Sequence, residues 1–146
     1  MSKINYIPEG FQAVTPYFVV PDAMAFWNFL ERAFGAKERF ISKGPGGAIM
    51  HAEALIGNSI VEFGQANSQW AAMRLNTHLY VPDTDATYQG AIDAGGKSLR
   101  PPQDEFYGDR TAGIEDPAGN IWWIATHVED VSAEELERRA ATQSAH

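Results

Sequence analysis

Val20-Pro21-Asp22 recurs as Val81-Pro82-Asp83, 61 residues further along the chain. The same shift carries Trp27 onto Tyr88, Ala33 onto Ala94, Gly35 onto Gly96, Asn58 onto Gly119 and Ile60 onto Ile121. No gap is needed anywhere in the series. A self-similarity of fixed period marks a duplicated supersecondary unit.

Each tripeptide sits between a strand and a helix. Ala13 to Val20 is rich in β-branched and aromatic residues and reads as a strand. Pro16 lacks a ladder donor, which implies a free edge or a bulge. Asp22 supplies a helix cap. Ala23, Phe26, Trp27, Leu30, Ala33 and Phe34 follow the spacing of one buried helical stripe, and Gly35 ends it. Strands are expected over 37–43, from Ala48 to Ile56 and from Ser59 to Phe63, the last two joined by Gly57-Asn58.

In the second copy, Leu75 to Val81 is a strand and Asp85 to Ala94 a helix stopped by Gly95-Gly96. Lys97 to Arg100 is a short strand broken by Pro101-Pro102. Thr111 to Glu115 and Ile121 to Thr126 form a hairpin around Asp116-Pro117-Ala118-Gly119-Asn120. A polar C-terminal helix over about 132–142 opens with the capping-box pair Ser132 and Glu135, and the last residues are expected to fray. The fold class is therefore α+β, a single domain of two tandem βαβββ modules, about 11–64 and 74–127. Each helix must bury its stripe on one face of its sheet. The free faces are expected to curve as a mixed sheet around a cleft.

Composition narrows the function. The 146 residues include no cysteine, which excludes disulfides, thiolate metal sites and a cysteine nucleophile. A net charge of −8 repels nucleic-acid phosphate; it fits an acidic surface that serves solubility alone, and it also favours a cationic ligand. No apolar run approaches the ~20 residues of a membrane span. Met1 to Tyr6 lacks the pattern of a signal peptide, so a cytoplasmic location is expected.

Several segments together resemble one family. They are Ile7-Pro8-Glu9-Gly10, Thr15-Pro16-Tyr17, Arg32-Ala33-Phe34-Gly35-Ala36, Met50-His51-Ala52-Glu53, His78-Leu79-Tyr80-Val81, Phe106-Tyr107-Gly108-Asp109-Arg110 and Ala125-Thr126-His127, with Asp-Pro-Ala-Gly-Asn before the final strand. On these the chain resembles the vicinal oxygen chelate superfamily of glyoxalases, bleomycin-resistance proteins and extradiol dioxygenases, and within it the PhnB-like branch. The resemblance implies a cup-shaped sheet in each half and a homodimer. It fixes no reaction, because one fold hosts several.

Metal enzymes of that superfamily carry His or Glu ligands at four strand positions, which fall here on Thr15, Glu62, Asn76 and Trp123. Glu62 alone is a competent ligand, since threonine and asparagine are poor and an indole cannot bind a metal. A catalytic zinc needs about three protein ligands. No metal cofactor is therefore assigned, although His78, on the face of Asn76, and His51 or His127 stay open as further donors. Glu62 and His78 are the candidate acid–base pair of a lyase- or isomerase-type enzyme. Tyr17, Asn76, Tyr80, Arg110 and Trp123 are the candidate ligand-binding residues. The leading expectation is a small-molecule-binding protein with an incomplete metal site. The alternatives are a glyoxalase-like enzyme and a dimeric interaction protein with no ligand.

Overall fold

A computed structural model describes residues 3–143. The expected fraying of the final residues falls on 144–146, outside the described residues. The chain forms two compact units, Met1–Leu75 and Asn76–His146.

The first unit contains β1 (Tyr17–Val20), α1 (Ala23–Phe34), β2 (Lys37–Lys43), β3 (Ile49–Ile56) and β4 (Ser59–Gln65), in the sheet order β1-β4-β3-β2. β1 runs parallel to β4, and the other pairs are antiparallel. Asp22 accepts the backbone N–H of Ala25 and caps α1, and Gly35 closes it in the left-handed conformation, φ 66°. The strand expected from Ala13 is shorter at its start. Pro16 has no N–H to give, and Gln12 instead pairs its amide with both backbone groups of Ile60, at 2.6 and 3.2 Å. Phe26 packs on Phe18 and Phe63 with ring centroids 5.1 Å apart in both cases, and all three are buried. Each such aromatic contact adds about 0.5–1.5 kcal/mol to simple burial.

The second unit contains β5 (Asn76–Tyr80), α2 (Thr84–Asp93), β6 (Lys97–Asp104), β7 (Asp109–Glu115), β8 (Ile121–His127) and the C-terminal α3 (Ala133–Gln143). Its sheet order is β5-β8-β7-β6, with β5 parallel to β8. The strands of the two modules thus make two mixed four-stranded sheets. Asp83 caps α2 by accepting from Ala86. Pro101-Pro102 do not end β6. It is an edge strand, and its register shifts between Arg100 and Gln103 let the prolines stand where no partner needs their N–H. Buried Asp116 anchors the last hairpin, accepting from the backbone of Ala118 and Asn120 and from the Trp122 indole at 2.8–3.0 Å. Ser132 accepts from Glu135 and starts α3. Among the described residues no helix is long and apolar enough to cross a membrane.

The duplication is visible in the registers, but with two offsets. Tyr17 pairs with Glu62 as His78 pairs with Trp123, displaced by 61. Lys37 pairs with Leu55 as Lys97 pairs with Glu115, displaced by 60. The slip places Gly113 where the first unit has Glu53. Glu53 faces Glu62 across the first sheet, and Gly113 faces Trp123 across the second.

A Cβ on Gly113 would collide with Trp123 ring atoms Cζ3 and Cε3. Gly113→Ala is therefore expected to cost about 1–3 kcal/mol, read as a lower urea midpoint at unchanged slope. In a Trp123→Ala background the same substitution should cost much less.

Candidate functional site

Strand alternation assigns the side chains of each sheet to two faces. In the first unit, Phe18, Ala52 and Phe63 share the face covered by α1. The opposite face carries Tyr17, Glu53 and Glu62, with His51 two residues before Glu53. His51 Nε2 lies 3.3 Å from Glu53 Oε2 and 3.6 Å from Glu62 Oε1. Its Nδ1 is 3.3 Å from the Tyr17 hydroxyl, and the two rings stack with centroids 5.8 Å apart. Burial, and then the charge of Glu62, push the Tyr17 phenol above its ordinary value, so it stays a hydroxyl at neutral pH. Arg39 approaches Glu53 at 3.5 Å while its guanidinium also bonds the Glu9 carbonyl and covers the Phe11 ring.

Two cavities open beside this cluster. One of about 380 Å³ is lined by Tyr17, Val19, Met50, Gly64, Gln65, Asn67 and Trp70. Asn67 shapes its wall by accepting from the backbone of Gln69 and Trp70 at 2.8 Å. A second, of about 260 Å³, contains Thr15 and Glu62 together with Tyr6, Phe11 and Gln12.

In the second unit, Leu79, Ala112 and Ile124 share one face with the buried Ala91 of α2. The opposite face carries His78, Tyr80, Thr111 and Trp123. These line, with Arg100, Glu105 and Tyr107, a cavity of about 210 Å³, Tyr80 excepted. The Arg100 guanidinium stands 5.5 Å from the Trp123 ring centroid, a cation–π distance. It is paired to Glu105 at 2.7 Å and hydrogen-bonded to Thr111. Burial raises the Glu105 carboxyl, but donation from Thr111, Gln103 and Arg100 outweighs it and leaves a net lowering. Burial and the Glu105 charge raise the Tyr107 phenol.

The expected site residues are divided between the two units. Glu62 belongs to the first unit and meets His51. His78 belongs to the second, with its ring 4.9 Å from Tyr80. Tyr80 donates to Asp109 at 2.6 Å. Asn76 opens β5 opposite Ile121. Arg110 is engaged by Asp85, through two nitrogens at 2.6 and 3.0 Å, and by Asp104 at 3.1 Å. His127 ends β8 between Asp109 and Asp130. Sequence reading put Arg100 at the end of a short strand but did not select it as a site residue, because its contacts with Thr111, Glu105 and Trp123 depend on how β6 continues past Pro101-Pro102 and pairs with β7. It also missed Gly113, although a glycine inside a strand signals close approach of another group.

A family model described as the glyoxalase/bleomycin resistance protein/dioxygenase superfamily matches residues 10–124. The chain belongs to this superfamily. An uncharacterised protein of Mycobacterium bovis is 30% identical over 142 residues, covering 90% of this chain and 93% of the relative. Among solved structures, TioX from Micromonospora superposes with a TM-score of 0.67 at 20% identity, covering 83% of this chain and all of TioX. A glyoxalase-related enzyme from Fulvimarina pelagi gives 0.64 at 20% identity, covering 79% of this chain and 87% of that enzyme. These structures share the fold.

The superfamily's four metal positions do not fit an ion in this chain. Thr15 and Glu62 share a cavity, yet only Glu62 is an anionic donor. At Trp123 the indole offers no lone pair to an ion, and its ring is covered by the Arg100 guanidinium.

The His127 group makes a pH prediction. Hydrogen bonds to Asp130 and then Asp109 raise the imidazole above 6.5. Burial pushes Asp109 up, but donation from Tyr80 and His127 prevails and holds it below 3.8. The histidine contribution is complete below the unfolded imidazole value and fades as pH rises through the folded one. The Asp109 contribution is complete above the unfolded carboxyl value and fades as pH falls through the folded one. Melting temperature should therefore decline as pH rises from the unfolded imidazole value of 6.5 through the higher folded one, and His127→Asn should flatten that decline.

Proposed function

We propose that this protein binds a small planar molecule on the helix-free face of a sheet. The 380 Å³ cavity carries the reading. Its volume lies within the range of about 300–1,000 Å³ found for small-molecule sites. Tyr17 and Trp70 provide flat faces, 43% and 62% exposed, so ligand binding would cover aromatic surface now in water. Gln65 and Asn67 provide amide groups for orientation. Gly64 permits the close approach: a Cβ there would strike the Met50 carbonyl oxygen and the Tyr17 hydroxyl. The net charge of −8 favours a neutral or cationic aromatic over an anion.

The second unit supports the same reading. Trp123 presents a broad surface in the 210 Å³ cavity, with Arg100 and Glu105 offsetting each other's charge. A PhnB-like assignment and a homodimer go with this proposal on the sequence segments that resemble that branch, and a cytoplasmic location on the N-terminal residues Met1 to Tyr6.

A panel of neutral and cationic aromatic compounds, titrated against tryptophan fluorescence, tests it. At least one should saturate the signal. Trp70→Ala should then weaken binding by about 2–4 kcal/mol, the scale of an aromatic anchor. Trp123→Ala reports on the second cavity in the same assay. Saturable binding that neither substitution weakens would place the ligand elsewhere, and no saturation with any compound would remove the reading.

A further inference from the structure

We propose that His51, Glu53 and Glu62 form a binding site for a divalent first-row metal ion such as zinc or manganese. The site lies on β3 and β4, off the four positions used by the superfamily except for Glu62. It goes beyond the small-molecule reading and stands or falls separately from it.

Geometry is the first support. One donor atom from each of the three side chains lies within 4.8 Å of the others. Metal–ligand bonds of about 2.0–2.2 Å place neighbouring donors roughly 3–3.5 Å apart. The contacts of His51 Nε2 with Glu53 and Glu62, 3.3 and 3.6 Å, are close to that spacing before any adjustment. Among the described residues no other three histidine and acidic side chains converge in this way.

Electrostatics is the second. Glu53 and Glu62 are direct cross-strand neighbours, and like charges directly opposite are destabilising. Arg39 relieves this in part, reaching Glu53 alone at 3.5 Å. An ion between the three donors would neutralise both carboxylates.

The imidazole is also suitably held. Tyr17 meets Nδ1, leaving Nε2 directed at the two carboxylates. A ligating histidine ordinarily has its second nitrogen fixed by such an outer partner. His127 differs, because carboxylates occupy both of its nitrogens. The three side chains keep 32%, 18% and 25% of their surface, so an ion can enter and retain water as further ligands. One nitrogen and two carboxylate donors suit borderline and hard ions rather than soft ones.

Isothermal titration of the EDTA-treated, dialysed full chain with zinc chloride and manganese chloride tests the site. One ion per chain is expected, with His51→Gln and Glu62→Gln each weakening binding at least tenfold. Binding should also weaken in acid, because metal binding displaces protons from its ligands. Manganese broadening of NMR signals needs no variant: His51, Glu53 and Glu62 should broaden before His127 and Asp130. Absence of binding for both ions, unchanged affinity in both folded variants, or the reverse order of broadening would overturn the proposal.

Discussion

Strand alternation is the constraint on which the rest depends. In each unit a helix occupies one face of the sheet, so every second residue of a central strand must be apolar. Phe18 and Phe63 meet that demand in the first unit, and Leu79 and Ile124 occupy the same register in the second. The intervening residues are released from it. Tyr17, Glu53, Glu62, His78 and Trp123 all lie in that alternate set, and polar or aromatic chemistry can collect there without disrupting a core.

The paired offsets show how the two halves diverged. Where β1 and β4 of the first unit meet, their counterparts β5 and β8 are displaced by 61. The outer hairpin formed by β2 and β3 is displaced by 60 in β6 and β7. The Asp116 turn takes up the difference, since it is longer than Gly57-Asn58 and is secured by a buried carboxylate. A single-residue displacement still preserves pairing because both strands of the outer hairpin move together. The consequence falls on the open face, where a Glu–Glu pair in one unit corresponds to Gly–Trp in the other.

This division explains what was legible in the sequence. Val20-Pro21-Asp22 and its copy lie in segments that must satisfy local rules, a strand end followed by a capped helix, and local rules are written in residue type. The ungapped 61-residue alignment therefore recovered the modules and related Thr15 to Asn76 and Glu62 to Trp123. It could not recover the 60-residue offset, because neither Glu53 nor Gly113 carries a conserved-type signal through that shift. Pro101-Pro102 were misread for a related reason. A proline stops a central strand but is harmless at an edge, and the order β5-β8-β7-β6 is a tertiary property. His51 was legible as a histidine near Glu53, but its approach to Glu62 depends on the register of β3 against β4.

The two open faces also differ in the sign of the charge they can accept. In the first unit two carboxylates outnumber the single guanidinium of Arg39, and the imidazole adds a lone pair rather than a fixed charge. A cation is the natural complement of that arrangement. In the second unit Arg100 lies over Trp123 and is already matched by Glu105, so neither ion gains much there. Replacing Glu by Trp at the equivalent β-strand position removes an anion and adds a large polarisable surface. Replacing its cross-strand neighbour by Gly makes space for that surface to lie flat. The two changes belong together, because a Cβ at position 113 would strike the indole where it now lies flat on the sheet.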